Sequence, residues 1–73
     1  MKLIKIKKVT RGSEYSVMVT YRNEFGRVKS REAAKGYVDM WYFLDDQSLV
    51  HEFDKTLDWF IKTGLSEVEL NKP

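Results

Sequence analysis

Residues 15–22, YSVMVTYR, alternate apolar and polar side chains over eight consecutive positions. A period of two cannot form one face of a helix, so it commits the segment to a strand with one buried face. Tyr15, Val17, Val19 and Tyr21 share one face, and Ser16, Met18, Thr20 and Arg22 share the other. A half-apolar strand needs strand neighbours and a cover, and the flanking sequence supplies candidates for both.

Upstream, KLIKIKKV at residues 2–9 alternates in the same way, placing Ile4 and Ile6 opposite Leu3, Lys5 and Lys7. The turn between these strands falls at Arg11-Gly12-Ser13. Downstream, Asn23-Glu24-Phe25-Gly26 reads as a hairpin connection, with Gly26 suited to a positive φ. A third strand runs from Arg27 towards Glu32, with Arg27, Lys29 and Arg31 on one face and Val28 and Ser30 on the other. The segment GYVDMWYFLDD, residues 36–46, breaks the pattern: between Tyr37 and Leu44 only Asp39 is polar, so a fourth strand there has two apolar faces.

A helix is expected next, capped by Asp45 or Asp46, because a carboxylate at that point accepts from free first-turn amides. Leu49, Val50, Phe53, Leu57, Phe60 and Ile61 recur at three- and four-residue steps and form one apolar stripe. Gly64 after Lys62 and Thr63 is a stop signal, and Asp58 and Lys62 have the spacing of an i,i+4 pair. In the tail, Glu67–Leu70 either adds a short fifth strand or frays. The expected architecture is a single α+β domain over 1–73. Four strands form an antiparallel meander, and one C-terminal helix crosses one face. The expected core is Ile4, Ile6, Val17, Val19, Tyr21, Val28, Val38, Met40 and Tyr42 against the helix stripe.

Seventy-three residues without a cysteine leave neither disulfides nor thiolate metal sites, so packing or self-association must supply the stability. No apolar run is long enough to span a bilayer, and lysines interrupt MKLIKIKKV too often for a signal peptide. A soluble protein of the cytoplasm is expected, without a membrane partner. The charge is strongly divided. Residues 1–35 hold ten Lys/Arg against three glutamates, while residues 36–73 hold three lysines against eight acids. Such a division suggests a polyanionic partner, or a basic sheet and an acidic helix that complement each other.

With the helix on one side, the open face of this arrangement displays Lys5, Lys7, Arg22, Arg27, Lys29 and Arg31 together with Tyr37, Trp41 and Phe43. Cations neutralise phosphates and release counterions, and flat rings stack on bases, so the pattern points to non-enzymatic binding of DNA or RNA. The same aromatic row also suits a homodimer seam through strand 37–44 or a protein target. On the helix, Trp59 lies off the apolar stripe. With Glu52 and Asp58 it outlines a candidate protein-partner surface, unless Leu65 or Val68 of the tail covers it. No catalytic constellation is apparent. His51 lacks metal-ligand neighbours on its helical face, no serine carries a nucleophile signature, and the four glycines fall at element boundaries. No cofactor is expected.

The hairpin EYSVMVTYRNEFGRVKS, residues 14–30, resembles the three-stranded arm-binding domain of tyrosine recombinases from phages and mobile elements. Tyr15, Val17, Val19 and Tyr21, then Gly26, then Arg27 and Lys29 match its outline over about a quarter of the chain. That resemblance implies DNA binding. The order of four strands and a helix is similar to that of single-strand-binding coactivator and Whirly-type domains. A short, lysine-rich, aromatic-rich chain also resembles small phage accessory proteins. Some of these bind DNA, and others, such as anti-CRISPR proteins, inhibit host proteins or CRISPR effectors. The inhibitor alternative predicts a host protein target in the host cytoplasm and no affinity for DNA by itself.

Overall fold

A computed structural model describes residues 1–11, 14–36 and 39–70. The chain forms an α+β fold with strands β1 (Lys2–Arg11), β2 (Glu14–Arg22), β3 (Val28–Lys35) and β4 (Trp41–Phe43), helix α1 (Asp54–Thr63) and strand β5 (Glu67–Glu69). The five strands make one sheet in the order β4-β3-β2-β1-β5, with every neighbouring pair antiparallel. The expected meander and C-terminal helix are present, and the tail supplies the fifth strand. The expected turn at Gly12-Ser13 and the expectations for Tyr37 and Val38 lie outside the described residues.

The strand order dictates where the helix goes. β4 and β5 occupy opposite edges and, by the antiparallel pairings between them, run in the same direction. A chain returning to start a strand in the same sense must cross one face of the sheet. α1 is part of that crossover. Its ten residues span ~15 Å across a sheet roughly 19 Å wide. Val50, Phe53, Leu57 and Phe60 from the crossover are buried with Leu3, Ile6, Val17, Val19, Tyr21, Ala33, Trp41 and Phe43 from the sheet. Both edges are protected. Residues 48–50 run along the outer side of β4, with the Phe43 N–H donating to the Ser48 carbonyl (2.8 Å) and the Val50 N–H to the Trp41 carbonyl (3.0 Å). β5 is a three-residue edge strand carrying two glutamates, a combination that discourages pairing with another chain.

The faces of β2 are as expected, but those of its neighbours differ. Register pairs Val17 with Ala33, Val19 with Arg31 and Tyr21 with Lys29, so the helix side of β3 carries Lys29, Arg31, Ala33 and Lys35. Ala33 then pairs with Phe43 and Lys35 with Trp41. Two of the three rings expected on the open face, Trp41 and Phe43, are thus in the core, each 4% exposed. Tyr42 instead turns to the open side and is half-buried, Met40 lies outside the strand, and Val28 is exposed. The physical reason is parity. β3 continues to Lys35, so its small apolar member on the helix side is Ala33, and that vacancy takes the large Phe43. Trp and Phe bury more area than Met or Val, and a one-residue change of register exchanges every side chain between faces. In β1 an irregularity between Leu3 and Lys5 has the same effect: Leu3, not Ile4, joins Ile6 in the core.

The helix starts later than expected. Residues 44–46 and 51–53 form turns with the extended residues 48–50 between them, and Asp45 and Asp46 cap nothing helical. The residue before α1 is Phe53, which makes no side-chain cap. The far end is as expected: Gly64 takes φ 74° and its N–H bonds to the Ile61 carbonyl. Because the stripe divides at Asp54, its members should differ in weight. Leu57→Ala, at a fully buried site, is expected to cost about 2–5 kcal/mol. Leu49→Ala, at an exposed site, should cost under about 1 kcal/mol. Urea denaturation of the two variants measures this. Equal losses would mean that Leu49 belongs to the packed stripe.

Candidate nucleic-acid interface

The cations of the sheet fall into two groups, and their partners separate them. Arg31 emerges from β3 on the helix side, where a guanidinium needs acceptors to offset desolvation. It finds them in the loop after β4. Its Nε donates to Asp45 Oδ2 (2.9 Å), its Nη2 to Asp45 Oδ1 (2.8 Å), and its Nη1 to the Tyr21 hydroxyl (3.3 Å). Nη2 also lies 3.0 Å from Asp46 Oδ1, and the guanidinium carbon sits 3.8 Å above the centre of the Phe43 ring. Bidentate contact plus ring stacking is a geometry that arginine alone provides. The Arg31 bond holds the Asp45 carboxyl below its usual value, and bonds from Ser48 do the same for Asp46. Those two acids are therefore a clasp for Arg31 and for the loop.

Lys35 is engaged as well. Its Nζ donates to Asp58 Oδ1 (2.7 Å) and lies 3.1 Å from Asp39, which raises its pKa, with Asp58 the larger cause. The same Asp58 oxygen accepts the indole N–H of the buried Trp41 (2.9 Å). Asp58 thus ties α1 to both β3 and β4, and its carboxyl is held below the ordinary value by Lys35 first and Trp41 second. The expected pairing of Asp58 with Lys62 gives way to this.

On the open face, the register aligns Lys5 with Glu69 and Lys7 with Glu67, and Lys5 Nζ lies 3.9 Å from a Glu67 oxygen. Strand β5 therefore lays acids beside the two lysines. The middle of this face is short and polar. Thr20 and Ser30 share a hydrogen bond of 2.8 Å, and Ser16 donates to Glu32. Trp41 and Phe43 are absent from it, so the expected row of stacking rings does not stand on the sheet surface.

The second group of cations gathers at the hairpin end of the sheet. Lys2 and Arg22 are cross-strand partners, Arg22 pairs onward with Val28, and Arg27 immediately precedes Val28. Lys29 stands in the adjacent row, opposite Tyr21; it is exposed and borders a cavity that Arg31, Asp45 and Asp46 also line. Among the described residues, Lys2, Arg22, Arg27 and Lys29 make no ion pair. Arg22 Nη1 donates to the Gly26 carbonyl (2.8 Å), which positions the guanidinium without neutralising it. Glu24 is the single acid in the connecting loop. Beside these cations stands Phe25, 80% exposed. Sequence reasoning passed over this residue. The available signal was a large apolar side chain in the middle of an otherwise polar turn.

The residues of the protein-partner candidate also have contacts within the chain. Trp59 is 46% exposed on α1, but Asp58 is held by Lys35 and Trp41, and Glu52 lies 3.5 Å from the N-terminal ammonium. His51 is exposed, and among the described residues no group of three His, Cys, Asp or Glu is placed to hold a metal ion. No described helix is long and apolar enough to cross a membrane. No protein-family model matches the chain, and no curated protein and no solved structure matches it either. The geometry of the two groups of cations therefore carries the functional argument.

The clasps predict a pH dependence. Asp45 and Asp58 have folded-state pKa values below their unfolded values, so their contribution is complete above about pH 4 and is lost as pH falls through the lower folded values. The urea midpoint should be flat from neutral pH to about 5 and fall below about pH 4. In Asp45→Asn and Asp58→Asn that acid-side fall should be shallower. Variants whose midpoints fall as steeply with acid as the parent's would remove the assignment.

Proposed function

We propose that this protein binds nucleic acid without catalysing a reaction, and that the hairpin end of the sheet is the contact surface. The observation that supports this is the sorting of cations. Arg31 and Lys35 are consumed by acids of the crossover, and Lys5 and Lys7 face the glutamates of β5. Lys2, Arg22, Arg27 and Lys29 are left together without an ion pair among the described residues. Cations that neutralise nothing within the chain cost self-repulsion, and a polyphosphate backbone relieves it while releasing its own counterions. The cluster also wraps both sides of a hairpin, so a strand of phosphates passing its tip meets charge on either side.

Lys5 and Lys7, next to the cluster along β1, extend it only partly because Glu67 and Glu69 lie beside them. Arg31, Trp41 and Phe43 support the surface from within: they set the position of β3 and take no part in contact.

Fluorescence anisotropy of labelled oligonucleotides at several salt concentrations tests this. Arg27→Ala/Lys29→Ala should weaken binding about tenfold at low salt. It should also reduce the slope of log K against log salt by roughly one to two. Arg31→Ala should lower the melting temperature and leave the slope as in the parent chain. If the double variant keeps the parent slope, or if the parent shows no binding at low salt, the proposal fails.

A further inference from the structure

The hairpin tip between β2 and β3 is built to hold an apolar ring in solvent. Asn23 organises it. Its side-chain Oδ1 accepts from the N–H of Phe25 (2.9 Å) and of Arg27 (3.0 Å), and its carbonyl accepts from the Gly26 N–H (3.0 Å). The Asn23 N–H closes the loop on the Arg27 carbonyl (2.8 Å). Gly26 takes φ 79°, a conformation that other residues rarely adopt, and nothing lies within 4 Å of where its side chain would begin. Arg22 adds a bond to the Gly26 carbonyl from the flanking strand. A loop satisfied by four internal hydrogen bonds and one from Arg22 leaves Phe25 little freedom to fold back onto the sheet. The ring nonetheless contributes nothing to the core, and Val28 beside it is exposed too.

We infer that Phe25 is a stacking platform for an unpaired base, and that the preferred ligand of the hairpin end is therefore single-stranded nucleic acid. The inference rests on the nucleic-acid reading of the cation cluster. Every base offers a π-face, and a ring among cations gains stacking while the phosphates on either side are neutralised. In a duplex the base faces are already stacked on one another, so a rigid ring at a hairpin tip gains nothing there without prying a step apart. The cations would bind either form, whereas the ring discriminates between them. Preorganisation matters to the size of the effect, because a loop already fixed by Asn23 and Gly26 is not ordered at the expense of binding.

The test compares the parent chain, Phe25→Ala and Phe25→Trp on three probes at one salt concentration. The probes are a single-stranded 12-mer, the same sequence as a duplex, and inorganic polyphosphate, which has charge and no bases. At 80% exposure the substitutions leave the fold intact, which an unchanged melting temperature verifies. Phe25→Ala should lose about tenfold on the single strand and less than about twofold on the duplex and on polyphosphate, where phosphate contacts alone act. Phe25→Trp should retain single-strand affinity. If Phe25→Ala binds the single strand like the parent, while Arg27→Ala/Lys29→Ala is still weakened, the platform is disproved and the cation cluster stands. Equal losses on all three probes would also overturn it, by showing that the ring supports the cations and not a base. Failure of the parent to bind any of the three removes both readings.

Discussion

Arg31 is the residue around which this small domain is arranged. It projects from β3 onto the side that the crossover covers, opposite Val19, where an unpaired guanidinium would oppose folding. Asp45 meets it with both carboxylate oxygens, Tyr21 with its hydroxyl and Phe43 with its ring face. Those contacts fix the loop that follows β4. Once the loop is fixed, residues 48–50 run along the outer side of β4, and Val50 and Phe53 are delivered to the core before α1 begins. A second clasp, Asp58 with Lys35 and the Trp41 indole, then fixes how α1 lies across the sheet. Among the described residues twelve buried apolar side chains form the core, and the two polar clasps settle its geometry.

The clasps also decide where charge remains. The acids of the second half of the chain are placed against particular cations of the first half: Asp45 and Asp46 on Arg31, Asp39 and Asp58 on Lys35, Glu67 and Glu69 beside Lys5 and Lys7. Lys2, Arg22, Arg27 and Lys29 at the hairpin end make no ion pair among the described residues, so they remain as a cluster of positive charge there. Complementarity between a basic sheet and the acids that follow it accounts for one set of cations, and the proposed polyanion surface draws on the other, in different parts of the same sheet. Folding uses the first set of cations, and the proposed binding uses what is left.

Much of this was legible along the chain. The alternation of β2, the hairpin at Gly26, the stop at Gly64 and the β-competence of Glu67–Glu69 all reflect local chemistry that survives in the fold. What was illegible depended on parity. The faces of β3 and β4 follow from where each strand ends: the third strand, expected to run towards Glu32, extends through Ala33-Ala34-Lys35, and β4 begins only at Trp41. The irregularity between Leu3 and Lys5 moves Leu3 inward with no turn residue to announce it. Asp45 and Asp46 look like helix caps because capping is a local property, whereas their partner Arg31 is fourteen residues away. For the same reason Trp41 and Phe43, read from 36–46 as rings of the open face, belong to the interior, and Phe25, a ring that does stand in solvent, sits in a turn where an apolar side chain carries no periodic signal.

The measurement that addresses the central claim most directly is an amide ¹H–¹⁵N correlation spectrum of the protein titrated with a short single-stranded oligonucleotide at low salt. Here the location of contact is read residue by residue. The account predicts shifts concentrated at residues 22–29 and at Lys2, fading along β1 and absent from α1 and from the Arg31–Asp45 clasp. Shifts centred on the outer face of α1 around Trp59, or spread over the open face through Thr20, Ser30 and Glu32, would contradict it.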